Sequence, residues 1–284
     1  MNSISVKQLS KKYEDFQLND VSFDVPMGTI MGLIGENGAG KTTIIKSMLN
    51  LVNVESGDVK IFDKNYKKDE KLIKEDIGVV LGEAFFSPMI DANHVDKIMM
   101  KINRNWSSKL FYSYLQQFEL PKDKKIKDLS KGMKMKLQIA TALARDPKLL
   151  ILDEPTSGLD PIVRNEILDI FLDFIQDEQH TVLLSTHITT DLEKIADYIT
   201  FVNKGKLIFS KDKDDIMESF GILKCDEEAF NALDSEDIIR YKKQKYSYEV
   251  LVEDRDRIQK KYSGVIIDKP TIDEIMMLYI KGKE

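Results

Sequence analysis

The sequence predicts an α/β protein built on a mainly parallel sheet, because short apolar runs typical of strands alternate with segments of helical period. The strand-like runs are TIMGLIG at residues 29–35, KLLILD at 148–153 and TVLLST at 181–186. Between them lie TTIIKSMLNLV at 42–52 and RNEILDIFLDFIQDE at 164–178, whose apolar residues suit helices packed on a sheet. Three further runs near the amino terminus, ISVKQL, VSFDV and GDVKIF, are also predicted to be strands.

Changes in this rhythm divide the chain. From about 84 to 140 the strand signals vanish and helical period dominates, which predicts a helical insertion within a first domain of residues 1–215. The tail at 220–284 has the order strand, helix, two strands, helix, strand, as expected of a small ferredoxin-like α+β domain. A last helix starts at the capping box formed by Thr271 and Glu274. Its apolar face is interpreted as packing against its own domain, with a dimer contact as the alternative.

Composition excludes several classes of protein. The 284 residues carry a net charge of -6, and the pI near 5.4 argues against a dedicated nucleic-acid binder. Cys225 is the only cysteine, so neither an intrachain disulfide nor a cysteine zinc cluster can form. No run of about eighteen apolar residues occurs, and MNSISVKQLS lacks the pattern of a secretory signal. We expect a soluble, cytoplasmic chain.

A glycine-rich stretch between a strand and a helix, GENGAGKT at 35–42, matches the phosphate-binding pattern G-x-x-x-x-G-K-[ST]. Its glycines permit a tight turn that presents backbone N–H groups to phosphate oxygens at a helix N-terminus. Lys41 is predicted to reach the β and γ phosphates, Thr42 to bind Mg²⁺ and Thr43 to contact the α phosphate. The predicted nucleotide contacts are Gly35, Glu36, Asn37, Gly38, Ala39, Gly40, Lys41, Thr42 and Thr43.

The run LLILDEP at 149–155 supplies a second half of the same site. Its apolar residues form a buried strand, and Asp153 emerges at the carboxyl end, where a hard cation bridging phosphates requires an oxygen ligand. Glu154 follows directly and is positioned to polarise a water for attack on the γ phosphate. An acidic pair after a strand is more often a turn or helix cap when it stands alone. Because the same chain also has a phosphate loop, the catalytic interpretation of Asp153 and Glu154 is favoured over a turn or cap.

Taken in order, Tyr13, GENGAGKT, LSKGM at 129–133, LLILDEP, SGLD at 157–160 and STH at 185–187 resemble the ATP-binding subunits of ABC transporters. The resemblance covers residues 1 to about 210 and implies a P-loop ABC ATPase core with ATP and Mg²⁺ as cofactors. It implies that Tyr13 stacks on adenine, that Asp160 connects two ATP sites and that His187 contacts the γ phosphate. Glu154, His187 and Lys41 are then the catalytic residues.

The same resemblance implies partners. Two such chains, identical or different, close head to tail, so that Ser130, Lys131 and Gly132 of one face the ATP bound to the other. The close-approach glycine, Gly132, is explained by a phosphate arriving at the start of its helix. The helical insertion docks on separate integral-membrane subunits, with Phe85, Phe86 and Pro88 near the contact, which places the chain at the inner face of the cell membrane.

Two departures from the family pattern stand out. Where the family has a glutamine that senses Mg²⁺, this chain has Gly82 followed by Glu83, and Glu83 is hypothesised to be a metal ligand, with an ordinary loop glutamate as the alternative. The signature reads LSKGM instead of LSGGQ. Lys131 either places a cation beside ATP or simply faces solvent. These variants resemble bacterial exporters of drugs and antimicrobial peptides, including those for phenol-soluble modulins.

The sequence thus predicts an ATP-hydrolysing transporter subunit that powers export through separate membrane subunits. One alternative is a soluble ABC-type ATPase acting on ribosomes or DNA. The single motif set, the short separation of its halves and the acidic charge argue against that alternative. The other is a non-hydrolysing, ATP-gated regulatory module, which the intact Glu154 and His187 disfavour. The transported substrate is chosen by the membrane subunits and is not written in this chain.

Overall fold

The computed structural model describes residues 1–82, 86–262 and 264–283, and contains a large mixed sheet and a small antiparallel sheet. The order of the large sheet is β5-β4-β1-β2-β10-β9-β3-β8-β7-β6. Its strands are β1 (Asn2–Lys12), β2 (Gln17–Pro26), β3 (Ile30–Ile34), β4 (Ser56–Ile61), β5 (Lys64–Asn65), β6 (Ile77–Leu81), β7 (Leu149–Asp153), β8 (Thr181–Thr186), β9 (Tyr198–Asn203) and β10 (Lys206–Asp212).

The parallel part of this sheet, β9-β3-β8-β7-β6, positions the functional site. Every residue of β3, β7 and β8 is buried, which explains their nearly continuous apolar sequences. In register, Ile34 pairs with Thr186, and Asp153 pairs with Ser185. The carboxyl ends of these three strands therefore meet at one edge, where ligands bind in open α/β sheets.

Helices cover the large sheet, and an antiparallel part of β1, β2 and β4 extends it. The three helices α3, α4 and α5 occupy the range predicted for the helical insertion. The helices up to β10 are α1 (Lys41–Met48), α2 (Tyr66–Asp76), α3 (Ala92–Ile102), α4 (Ser108–Gln117), α5 (Lys131–Leu143), α6 (Pro161–Phe174) and α7 (Thr189–Ile195).

The carboxyl-terminal segment forms the small sheet, in the order β12-β13-β11-β14, with antiparallel pairing throughout. Its β-α-β-β-α-β succession agrees with the element order expected from the sequence, while the domain limits at 215 and 220 stay predictions. Its elements are α8 (Lys213–Ser219), β11 (Gly221–Cys225), α9 (Glu227–Asn231), β12 (Arg240–Lys243), β13 (Tyr248–Val252), α10 (Arg255–Lys261), β14 (Ile266–Asp268) and α11 (Ile272–Lys281).

The last helix, α11, lies between the two sheets. Its predicted capping box is present, since Thr271 and Glu274 exchange side-chain and backbone hydrogen bonds. Tyr279 packs edge-on against Phe201 of β9, with ring centroids 5.8 Å apart. The buried face of α11 belongs to the same hydrophobic cluster as the parallel strands, so this helix fastens the small sheet to the rest of the chain. Within the described ranges, no helix is long and apolar enough to cross a membrane.

Candidate functional site

The phosphate loop joins β3 to α1 in a tight turn that two glycines make possible. Gly40 directly precedes α1 with φ +116°, a conformation that side chains of L-residues rarely adopt. At Gly35 an added Cβ would lie 2.3 Å from the carbonyl oxygen of Val202, so no larger residue fits there. The loop therefore holds its backbone against β9 and opens α1 toward the cleft, as the motif predicts.

Lys41 is the first residue of α1, and its buried side chain reaches back across the loop. Its ammonium donates to the carbonyl oxygens of Gly35 at 2.7 Å and Glu36 at 3.2 Å. The same Nζ lies 3.1 Å from Oε1 of Glu154. A cation buried this deeply needs such partners, and they hold it at the centre of the loop.

Asp153 ends β7 within reach of the other predicted metal ligand. The Thr42 hydroxyl donates to its Oδ2 at 2.7 Å, and the buried Ser185 hydroxyl donates to its Oδ1 at 2.5 Å. Ser185 also accepts from the backbone N–H of Glu154 at 3.0 Å. Ser185 thus orients both acidic residues. It belongs to the motif STH, but the motif alone does not predict this role.

Glu154 connects three segments that are distant in sequence. Its Oε2 lies 2.7 Å from Nδ1 of His187, while its Oε1 faces Lys41. Its backbone is left-handed, with φ +53°. A non-glycine residue in this region costs about 1 to 3 kcal/mol and persists where the surroundings enforce it, often at functional sites. The structure therefore brings the three predicted catalytic residues into direct contact.

Of these residues, Lys41, Thr42 and Glu154 line an open cleft of about 570 Å³. Tyr13, the predicted adenine-stacking residue, stands at its rim, 43% exposed, with the Lys11 ammonium 5.0 Å from its ring centroid. Two lining residues, Asp15 and Phe16, belong to no motif, so the sequence alone does not predict them as part of the site. The lining residues are Tyr13, Asp15, Phe16, Glu36, Asn37, Gly38, Gly40, Lys41, Thr42, Thr43 and Glu154.

The residues predicted to act across a dimer, Ser130, Lys131, Gly132 and Asp160, do not line this cleft of their own chain. Ser130 caps α5 by accepting from the N–H of Met133. Asp160 caps α6 in the same way, accepting from Ile162 and Val163. The Ser130 hydroxyl and the Asp160 carboxylate thus lie at the N-terminal ends of helices, where anions and capping oxygens are stabilised.

Gly132 has a reason for being glycine within its own chain. An added Cβ would lie 2.6 Å from Cγ1 of Val163, so the start of α5 packs directly on α6. Within the single chain, the group that closely approaches Gly132 is therefore the side chain of Val163. Lys131 also turns toward its own chain, since its ammonium lies 2.7 Å from where a Cβ on Gly158 would stand.

The donors around Thr42 and Asp153 fit Mg²⁺. A hydroxyl and a carboxylate at the mouth of a phosphate loop are the ligands that Mg²⁺ takes together with substrate phosphates and water. The described part of the chain has no cage of three or more His, Cys, Asp or Glu side chains. Mg²⁺ bound through one hydroxyl, one carboxylate, phosphates and water does not require such a cage. The hypothesis on Glu83 falls outside the described residues; Gly82, directly before it, has φ +61° and is exposed.

Sequence comparisons agree with this geometry. The family model described as ABC transporter matches residues 18–157. The bacitracin transport ATP-binding protein BcrA of Enterococcus faecalis is 35% identical over 72% of this chain and 68% of that protein. The lantibiotic transport ATP-binding protein SrtF of Streptococcus pyogenes is 37% identical over 74% of this chain and 91% of that protein. The chain belongs to the ABC transporter ATP-binding family.

Solved structures place this ABC protein in the same fold. The cbiO1 protein of Clostridium perfringens, part of the ABC transporter complex cbiONQ, has a TM-score of 0.65 at 25% identity, covering 76% of this chain and 90% of that one. An ATP-binding subunit of an ABC transporter gives 0.65 at 28% identity, covering 75% and 91%. The α/β ABC ATPase fold and the ATPase activity predicted from the motifs are confirmed by these relatives. The match to the family model ends at residue 157, before the carboxyl-terminal sheet begins.

Proposed function

We propose that this chain hydrolyses MgATP in the cleft at the phosphate loop, and that the hydrolysis drives export through separate membrane subunits. The observation that supports the proposal most strongly is the convergence of Lys41, Glu154 and His187. Lys41 lies more than a hundred residues before Glu154 and His187 lies 33 residues after it, yet both are within hydrogen-bond distance of Glu154. A merely structural loop does not require that convergence.

The chain's own residues would share the work as follows. The loop amides and Lys41 position the β and γ phosphates and stabilise the charge that develops during phosphoryl transfer. Thr42 and Asp153 hold Mg²⁺, which neutralises phosphate charge when bound. Tyr13 is exposed at the rim, where its ring face is available to a base. Ser185 keeps the carboxylate of Asp153 aimed at the metal position.

Glu154 acts as the general base toward the attacking water, and its contacts suggest how it is released for that task. Its carboxylate is bound to Lys41 and His187, the two groups proposed to bind the γ phosphate. A γ phosphate bound to them competes with the carboxylate. The exchange frees Glu154 to accept a proton from water, and ADP, which lacks that phosphate, leaves the His187 contact in place.

The signature residues support a shared, dimeric site. Ser130, Lys131 and Asp160 are exposed at the N-terminal ends of α5 and α6, and they lie outside the cleft of their own chain. Helix N-termini favour anions, so a second copy or a related chain brings its bound ATP to this surface. Lys131 adds a positive charge there.

An apolar cleft of about 300 Å³ between the helical insertion and the sheet supports docking to a membrane subunit. Phe86 lines it together with Met99 and Ile102, and Met89 and Ile98 are exposed nearby along the chain. Exposed apolar groups gathered around a cleft mark an interaction surface. The contact would hold the chain at the inner face of the membrane. The proposed cargo is a drug or an antimicrobial peptide, cytolytic peptides included. Relatives named for bacitracin and lantibiotic transport support this choice.

The Glu154→Gln variant tests the reaction. A positioned base contributes about 10² to 10⁴ in rate, so the turnover of ATP should fall by that factor while ATP still binds. Glu166→Gln, which alters an exposed glutamate of α6, should hydrolyse ATP like the wild type. Wild-type turnover in Glu154→Gln would overturn the proposed role. Copurification with a membrane protein, lost when Phe86 and Met99 are changed to serine, tests the docking surface.

A further inference from the structure

A buried carboxylate on α7 connects the segments that follow three residues of the proposed site, His187, Glu154 and Asp160. Asp191 is fully buried and lies in α7, which begins two residues after His187. Its Oδ2 accepts a hydrogen bond from the Thr156 hydroxyl at 2.7 Å. Its Oδ1 lies 2.7 Å from Nε of Arg164. The carboxylate therefore has one partner on each of two other segments.

Each partner lies close to a functional residue. Thr156 is also fully buried and follows Glu154 by two positions. Arg164 is in the second turn of α6, which Asp160 caps, and it donates further to the Thr190 hydroxyl at 3.0 Å. One carboxylate thus joins the helix after His187, the turn after Glu154 and the helix after Asp160.

Stability alone does not account for such an arrangement. Taking a carboxylate and a guanidinium out of water costs several kcal/mol, and well-packed apolar residues of similar volume are often equally stable or more so. A carboxylate that accepts a hydrogen bond from Thr156 and forms an ion pair with Arg164, however, fixes the relative placement of the segments that bear these two residues. Misplacing reacting groups by about 1 Å can cost about 100-fold in rate.

We propose that Asp191 is a positioning residue for ATP hydrolysis, which holds the Glu154 turn and the α6 N-terminus in register with His187 through Thr156 and Arg164. The inference rests on the proposed roles of Glu154 and His187. Asp191 is buried and does not line the cleft. It acts through the backbone segments that it connects.

The chain offers a matched control for this role. The exposed Lys194 of α7 donates to the Asn165 side chain of α6 at 2.9 Å, so the same two helices are also joined at the surface. That contact does not include Thr156 or the turn after Glu154. Removing it tests whether any α6–α7 link matters, or only the buried one.

The experiment compares Thr156→Val, Thr156→Ser and Asn165→Ala in steady-state ATP hydrolysis and thermal unfolding. Valine keeps the shape of threonine but removes the hydroxyl, and should lower kcat about tenfold or more with KM for ATP within about twofold. Serine keeps the hydroxyl and should restore kcat to within about twofold of the wild type. Asn165→Ala should hydrolyse ATP normally.

Arg164→Met gives a second test in case Thr156→Val fails to fold, because Arg164 is partly exposed. It should lower kcat without changing KM in protein that is folded at the assay temperature. Wild-type kcat in folded Thr156→Val or Arg164→Met would overturn the inference, as would an equal loss in Asn165→Ala. Glu154→Gln measured in parallel separates the two proposals, since its full activity would reject the site itself.

Discussion

Two carboxylates in this molecule lie among cations, and only one of them stands in an open cleft. Glu154 faces Lys41 and His187 at the edge of the large sheet. Asp237, in the carboxyl-terminal segment, accepts from Arg257 at 2.7 Å and Lys261 at 2.6 Å. Each carboxylate contacts two basic side chains, yet the geometry assigns the two clusters different tasks.

The Asp237 cluster is closed and satisfied. Its side chain is 3% exposed, and the Tyr262 hydroxyl supplies a third hydrogen bond at 2.7 Å. The Lys261 hydrogen bond is the largest influence on the carboxyl group, and together with Tyr262 and Arg257 it outweighs burial and lowers the pKa of Asp237 to about 2. Such an arrangement stabilises the fold, and its burial leaves the carboxylate almost inaccessible to a ligand.

The Glu154 cluster is open and only partly satisfied. Its Oε1 is buried beside the Lys41 ammonium, but that contact lacks the alignment of a hydrogen bond. The backbone of Glu154 is also left-handed. Contacts of this kind can be exchanged for those of a ligand, because a phosphate offers the same charge with better geometry. The comparison teaches that a partly exposed carboxylate on a strained backbone marks the site, and a buried, hydrogen-bonded one marks the scaffold.

Removing the cation of the open cluster should have the largest effect. Lys41→Ala deletes the ammonium proposed to bind the β and γ phosphates, and a charged hydrogen bond contributes about 1.5 to 3 kcal/mol. ATP affinity measured by calorimetry should fall at least about tenfold, and ATP hydrolysis should become undetectable. Lys46→Ala, an exposed lysine of the same helix, should bind ATP normally. Undiminished ATP affinity in Lys41→Ala would remove the distinction between the clusters.

The orientation of Asp153 provides a second, smaller effect. Ser185→Ala removes the hydroxyl that bonds both Asp153 and the Glu154 backbone. Groups that orient a metal ligand are typically worth about 10- to 100-fold, so the Mg²⁺ concentration for half-maximal ATPase activity should rise by about tenfold. Ser210→Ala breaks a hydroxyl pair with Thr200 away from the cleft and should leave the Mg²⁺ dependence unchanged. An unchanged Mg²⁺ requirement in Ser185→Ala would contradict the assignment of Asp153.

The closed cluster should affect stability and leave turnover alone. Because the pKa of Asp237 is lower in the folded protein than its ordinary value near 4, its contribution is fully present above about pH 4 and is lost as the pH falls toward 2. Partial exposure of Arg257 and Lys261 to water limits that contribution to about 1 to 2 kcal/mol. Asp237→Asn should lower the free energy of unfolding by that amount at pH 7, with a difference that shrinks in acid. A constant difference from pH 7 to pH 2.5 would show that charge is not the cause.

Local patterns predicted the parts of the site that lie within one short segment. The phosphate loop, the buried strand ending at Asp153 and the capping box at Thr271 all follow from neighbouring residues. The phosphate expected at Gly132 stays a prediction, and within its own chain the close neighbour of this glycine is Val163, which is distant in sequence. Apolar residues spaced by three or four predict that one face of a helix is packed. They do not predict which segment packs on it.

The features that the sequence did not predict depend on distant contacts or weak patterns. Helix α2 was missed because its segment, YKKDEKLIKED, is almost entirely charged and buries only Tyr66 and Ile73. The roles of Ser185 and Asp191 become visible only when β7, β8 and α6 come together. The family resemblance named the residues of the ATP site, but the contact between Glu154, Lys41 and His187 required the fold.

The exchange of Glu154 for a γ phosphate is tested most directly at His187. The chain has three histidines, so ¹⁵N-histidine labelling gives few ring resonances, and His187→Gln assigns the relevant one. A non-hydrolysable ATP analogue with Mg²⁺ should shift the His187 ring nitrogens, because Nδ1 exchanges a carboxylate for a phosphate oxygen. MgADP should leave them in place, and His94 and His180 should not move with either ligand. A His187 spectrum that ignores the ATP analogue, or that responds equally to ADP, would contradict the account.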